Sequence, residues 1–358
     1  PPEPVAVIEP GAAAAVTEAL WFAPFALAWE DGEDERLRQL APAALAKVRM
    51  QAQVGVLADA FADEAFCRAV VQAVGAGTEL RTGQGTLHFQ PTSAFASLAG
   101  SDADALTPLR PLPQSRGTVL ALDERLLLKA PRRVRPGVSI ELEMGRFLTD
   151  VARFEHSVPM AGSVEHVASD GTPSLLLLLQ ACVPNQGDAW ALGVEQLARQ
   201  LERVAPLEAA GMELADDGGL LSRVRLLARR TAELHAALAS ATGQPAFDPE
   251  PVQAADLQRW VQQLRERAAA TLDLLQAKLK APSEALPQAL RATAQRLLNA
   301  GVAGFDSGLA RAAALPPRGL KTRVHGGYRL QEVLLVNNDF VIIDFEGDPE
   351  RPLQERRA

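Results

Sequence analysis

Scarcities bound the function of this 358-residue chain before any motif is considered. It has only two cysteines, Cys67 and Cys182, which excludes a disulfide framework or a cysteine-rich zinc module and fits a reducing, cytoplasmic setting. Basic residues are in deficit, 36 against 44 acidic for a net charge of −8, so a nucleic-acid partner is not expected. Long apolar runs are missing too. The best candidate, Gly11 to Trp29, is interrupted by Glu18 and Pro24, so no membrane association is expected. There is no signal-peptide pattern and no initiating Met, and Pro1 with the following Pro-Glu-Pro reads as a cut through the linker of a longer polypeptide. What is there is ordinary globular composition, 47% hydrophobic and 22% charged, in a length that suits two or three domains.

Punctuation and periodicity organise the chain. After the acidic stretch Glu30 to Glu35, Leu37, Leu40, Leu45 and Val48 recur at roughly helical spacing and predict one helix. Asp63 is placed to cap a helix carrying Phe66, Val70 and Val74, which Gly75 and Gly77 end. Thr86 to Pro91 alternates as a strand. Thr118 to Leu122 and Arg125 to Ala130, separated by Asp123-Glu124, read as a β-hairpin. Ser139 can cap a helix running through Phe147 and Leu148, and Pro173 to Ala181 is an apolar run read as a buried strand. From Trp190 the pattern turns helical: Val224, Leu227, Thr231, Leu234 and Leu238 mark one face, beside which His235 is expected to pack. Near the end, Glu332 to Val336 and Asp339 to Ile343 flank Asn337-Asn338, a type I′ hairpin signal because Asn tolerates positive φ.

Three features stand in an order that has a mechanism. Gln114, Ser115, Arg116, Gly117 and Thr118 form a small polar turn between extended segments, where a phosphate-covering loop would sit. Lys129 ends a strand and precedes a helix with Glu141 and Glu143. His325-Gly326-Gly327-Tyr328 leads into the hairpin that ends in Asp344-Phe345-Glu346-Gly347. In kinase-type phosphoryl transfer a strand lysine holds nucleotide phosphates and pairs with a helix glutamate, and an Asp after a hairpin binds Mg²⁺. A loop just before that hairpin supplies the base.

On the stretches 126–148, 183–190, 228–235 and 324–357 the sequence resembles the maltokinases, in the aminoglycoside-phosphotransferase-like branch of the kinase fold, and specifically the maltokinase domain fused behind trehalose synthase. The resemblance implies an α+β, protein-kinase-like two-lobe fold: an N-terminal cap subdomain at 1–105, a β-rich N-lobe at 106–183, and a helical C-lobe with the catalytic-loop hairpin at 184–358. It implies ATP and Mg²⁺ as cofactors, maltose or a related α-glucoside as acceptor, a trehalose synthase domain in cis or trans as partner, and an oligomer. By this resemblance Gln114, Ser115, Gly117, Thr118, Lys129 and Glu143 bind nucleotide, with Glu143 preferred over Glu141 as the partner of Lys129. Asp344 and Glu332 bind the metal.

The departures carry as much information. Where the family loop reads His-Gly-Asp-Tyr-His-Leu-Gly-Gln, this chain has His325-Gly326-Gly327-Tyr328-Arg329-Leu330-Gln331-Glu332. The base position is Gly327, which has no side chain to accept a proton, and general-base catalysis contributes about 10²–10⁴-fold. His325 reads as a structural loop histidine rather than a replacement base. Glu332 keeps an oxygen ligand and adds negative charge; Arg329 places a permanent cation beside the loop. The chain ends 14 residues after Asp344, so the C-lobe is expected to be incomplete. Two readings follow, an active maltokinase and a degenerate kinase-like accessory domain that binds nucleotide without efficient transfer. Loss of the base favours the second.

Overall fold

The computed structural model describes residues 20–30, 34–100, 106, 108–111, 117–209, 219–280, 288–301 and 303–347. In chain order, β1 (Leu20–Trp21), β2 (Phe25–Trp29), α1 (Asp34–Leu40), β3 (Ala44–Met50), β4 (Gln53–Asp59) and α2 (Glu64–Gly75) come first. Then follow β5 (Glu79–Thr82), β6 (Gly85–Pro91), α3 (Phe95–Ala99), β7 (Pro108–Pro111), β8 (Thr118–Leu122), β9 (Leu126–Ala130) and β10 (Arg133–Val134). Next are α4 (Ile140–Arg146), β11 (Met160–Ala168), β12 (Pro173–Ala181), α5 (Ala189–Ala209) and α6 (Leu220–Leu238). The remainder comprises β13 (Glu250–Pro251), α7 (Ala254–Lys280), α8 (Gln288–Ala300), α9 (Ala303–Ala313), β14 (Leu320–Lys321), β15 (Val333–Val336) and β16 (Asp339–Ile342). The architecture is mixed α and β, sheet-rich toward the N-terminus and helical toward the C-terminus, the class the resemblance implied.

The residues divide into two compact units, Pro1–Ser240 with Val324–Ala358, and Ala241–Arg323. The first is built on a seven-stranded antiparallel sheet in the order β5-β6-β11-β12-β9-β8-β7. One face packs on α2: Cys67, Val70, Val71 and Val74 meet Leu120, Leu122, Leu126, Leu128, Leu177 and Leu179 in one buried cluster. Each such side chain contributes about 1.5–3 kcal/mol on burial. α2 begins where its cap predicts, since the Asp63 carboxylate accepts from the Ala65 N–H at 3.0 Å. The β8–β9 turn also follows its sequence signal, with Asp123 and Glu124 both at positive φ (47° and 53°), the type I′ pattern.

One expected helix is divided. α1 stops at Leu40, Ala41–Ala43 makes a single 3₁₀ turn, and Leu45 and Val48 lie in β3, paired with β4. Pro42 is the cause: it lacks the N–H that a continuing helix needs and clashes with the preceding turn. The second unit contains α7, packed by α8 and α9, and the short β13–β14 pair. There Lys321 lies 3.1 Å from the buried Asp256 carboxylate. No helix among the described residues is long and apolar enough to cross a membrane.

Candidate functional site

β9 alternates strictly. Leu126, Leu128 and Ala130 are buried, so Leu127 and Lys129 point to the other side of the sheet. Pairing with β8 (Val119) and β12 (Leu178) fixes the register of Lys129 from both sides. Its Nζ lies 3.0 Å from Glu141 Oε1. Glu141 is delivered by α4, whose start is set by Ser139 Oγ accepting from the Leu142 N–H at 3.3 Å. The expected partner, Glu143, is not the residue paired with the lysine. Two residues along a helix turn a side chain by about 200°, so only one of the two glutamates can face β9, and the cap puts Glu141 there. Burial works to lower the Lys129 pKa, but the attraction of Glu141, then of Asp344 and Glu346, outweighs it and leaves the ammonium above its ordinary value.

These groups line one cleft of about 640 Å³, whose wall includes Gly117, Thr118, Lys129, Glu141, Asp344 and Glu346. Gln114 and Ser115 lie outside the described residues. Gly117 is required by close approach: a Cβ there would stand 2.5 Å from the Ala130 carbonyl oxygen. Thr118 Oγ1 is engaged, accepting from Arg132 Nε at 2.8 Å. Arg132 also pairs with Asp59 and lies over the Phe61 ring at 4.8 Å. Arg132 is thus a structural clamp between the start of β8 and the N-terminal elements.

The carboxylate side of the cleft is carried by the β15–β16 hairpin. Its turn is Asn337-Asn338, with φ of 49° and 64°. Backbone bonds hold it in place: Leu335 N–H to Gly187 O at 2.9 Å, and Ile342 N–H to His156 O at 2.8 Å. Arg230 on α6 donates from Nε and Nη2 to the two Asp339 oxygens at 2.9 and 2.6 Å. The guanidinium of Arg230 lowers the Asp339 pKa below the usual carboxylate range. Asp344 follows β16 with φ of 63°, a left-handed conformation uncommon for a residue with a side chain.

The loop before the hairpin packs against Asp344-Phe345. His325 is buried; its ring lies 4.5 Å from that of Phe345, and Nε2 is 2.8 Å from the Ile343 carbonyl. Burial lowers its pKa, so it stays neutral. It holds backbone, as a structural histidine does. Tyr328 is anchored by its hydroxyl, 2.7 Å from Thr231 Oγ1 on α6. Glu332 is buried, accepts from Arg329 Nη2 at 2.8 Å, and feels the Asp344 carboxylate. Burial raises its pKa, Asp344 adds to the rise, and Arg329 opposes it.

Lys129, Glu141, Asp344, Glu346, Gly117 and Thr118 are therefore brought to one cleft, with Glu332 adjoining Asp344. Among the described residues no group of three or more His, Cys, Asp or Glu is arranged as a metal cage. The paired oxygens of Asp344 and Glu332 are hard donors of the kind Mg²⁺ takes alongside substrate phosphates and water. Sequence reasoning missed Arg230, whose partner is 109 residues away, and Arg132, whose polar partners Asp59 and Thr118 lie on β4 and β8. His235, expected to pack, is exposed on α6.

No protein-family model matches the chain. A glucosamine kinase from Streptacidiphilus jiangxiensis is 29% identical over 192 residues, 54% of this chain and 36% of that protein. Among solved structures, a glucosamine kinase in complex with glucosamine, ADP and inorganic phosphate superposes with a TM-score of 0.61 at 21% identity, over 95% of this chain and 64% of the other. A further crystal form of glucosamine kinase gives a TM-score of 0.59 at 20% identity, over 95% and 63%. The fold is thus that of the sugar kinase-like phosphotransferases. The chain spans about a third of the curated relative and under two thirds of the solved structures.

Proposed function

We propose that this chain binds ATP in the cleft between Lys129 and Asp344 as part of a sugar phosphotransferase, and that transfer is weakened by Gly327. The observation that carries the reading is the Lys129–Glu141 ion pair at 3.0 Å, made on the cleft wall that Asp344 shares. Kinase-type transfer requires both a strand lysine paired to a helix glutamate and a metal-binding Asp after the hairpin. Lys129 holds phosphate oxygens and Glu141 orients the ammonium. Gly117 lets the loop backbone approach β9 closely. Asp344, with Glu332 beside it, would hold Mg²⁺, which supplies charge neutralisation of the phosphates.

The glucosamine kinase relatives support a sugar hydroxyl as acceptor; maltose and association with trehalose synthase are carried by the maltokinase resemblance alone. The weakened-transfer element rests on one place: the base position has no side chain, and neutral His325 is committed to Ile343 O. The test is calorimetry with ATP and Mg²⁺, followed by an assay of phosphate transfer to glucosamine and to maltose. Micromolar nucleotide binding with slow turnover on one of these sugars is expected. Absence of nucleotide binding to the folded chain would overturn the reading.

A further inference from the structure

Kinase-type transfer places two Mg²⁺ ions, one on the Asp after the hairpin and the other on a neutral amide side chain of the catalytic loop. The corresponding loop residue here is Glu332, which adds a full negative charge beside Asp344. That charge is not free to move away. The Glu332 N–H donates to Arg329 O at 3.0 Å, and its carbonyl accepts from the Ile343 N–H at 2.9 Å. The residue is 9% exposed, so the carboxylate is desolvated as well as repelled by Asp344.

Arg329 meets this charge directly. It stands three residues earlier, at the N-terminal edge of the 3₁₀ turn Leu330–Glu332, where side chains at i and i+3 eclipse. Its Nη2 donates to Glu332 Oε1 at 2.8 Å, while its side chain as a whole is 67% exposed. A guanidinium is permanently charged and weakly hydrated, which suits it to enter from solvent and neutralise a buried carboxylate. The pair is neutral as a whole, as an amide is, but one oxygen is already taken by a donor. Asp344 and Glu346 line the cleft, whereas Glu332 is not on its wall.

We propose that Arg329 is a fixed counter-cation for Glu332, so that the cleft takes up one divalent cation, at Asp344, and the second cation of the kinase arrangement is replaced by a side chain. This rests on the nucleotide-binding reading above. The probe is Mn²⁺, titrated by electron paramagnetic resonance into the full chain with a non-hydrolysable ATP analogue. One Mn²⁺ per chain is expected for the parent and for Arg329→Lys. Arg329→Ala uncovers the carboxylate pair and should bind two, and adding Glu332→Gln, which restores the amide of the kinase arrangement, should keep two. Two Mn²⁺ in the parent, or one in a folded Arg329→Ala, overturns the proposal. Should Arg329→Ala not fold, Arg329→Gln, which keeps much of the side chain without its charge, decides: two Mn²⁺ are expected, and one overturns the proposal. Nucleotide bound without any Mn²⁺ in the parent overturns this inference while leaving the nucleotide site standing; no nucleotide bound removes the underlying reading itself.

Discussion

A Cβ placed on Gly327 would stand 3.4 Å from the Gly347 carbonyl oxygen, an ordinary van der Waals separation. The glycine lies outside the left-handed φ region, so neither space nor backbone demands it. Gly327→Asp is therefore expected to fold, with a thermal midpoint within about 2–4 °C of the parent, the shift that about 1 kcal/mol produces. Restoring a carboxylate at the base position should raise phosphate transfer to sugar by about 10²–10⁴-fold. A folded variant that still binds ATP and gains nothing in turnover would show that the missing base is not what limits transfer.

The Lys129–Glu141 contact gives a prediction that separates two neighbouring glutamates. A hydrogen bond to a charged group contributes about 1.5–3 kcal/mol, equivalent to roughly 10–100-fold in affinity. Lys129→Met should lose that much ATP affinity, and with it about half or more of the stabilisation of about 2.7 kcal/mol that ligand at a hundred times its Kd confers. Glu141→Gln should weaken ATP binding by about tenfold, because the ammonium is no longer oriented. Glu143→Gln should leave affinity within about twofold. Thermal-shift titration of the three variants checks this, and equal losses at 141 and 143 would contradict the assigned pair.

Features decided within a few residues were legible in the sequence. The two type I′ turns needed only Asp123-Glu124 and Asn337-Asn338, and the helix starts needed only Asp63 and Ser139 with the groups they cap. The same local chemistry exposes the one misread helix: Pro42 stands inside the segment whose leucine spacing suggested continuity. Glu141 was a nearer miss, because the spacing of two glutamates gives no phase until the helix is rotated against β9. Arg230–Asp339 and Arg132–Asp59 could not be read at all. Their partners are 109 and 73 residues apart, brought together only by tertiary packing.

Gly117 differs from Gly327 in what surrounds it. The Cβ of an alanine at 117 would meet the Ala130 carbonyl oxygen at 2.5 Å and Pro131 Cα at 3.2 Å, both backbone atoms that cannot swing aside. Gly117→Ala should push the loop off β9, destabilising the fold by about 1–3 kcal/mol as overpacking does. Because Gly117 also lines the cleft, ATP affinity should fall with it. Urea unfolding and nucleotide titration measure the two effects. A variant as stable as the parent would mean that the loop does not lie against Ala130 in solution.

His325 makes stability depend on pH in a defined direction. Its pKa is lowered by burial, with the Ile343 hydrogen bond and the Asp344 carboxylate opposing, so between its folded value and the ordinary 6.5 the unfolded chain binds the extra proton. Unfolding free energy therefore rises with pH through that window, is fully present above about 6.5, and declines as the pH falls below it. Nε2 facing the Ile343 carbonyl and Nδ1 facing the Gly327 N–H, 3.4 Å away, fit a neutral ring that donates from Nε2 and accepts at Nδ1. His325→Asn removes the titrating group and should flatten the slope of stability against pH between about 5.5 and 6.5, where an unperturbed histidine begins to charge. Urea unfolding in metal-free buffer at half-unit pH steps measures it, and an unchanged slope in the variant would assign the pH dependence to other groups.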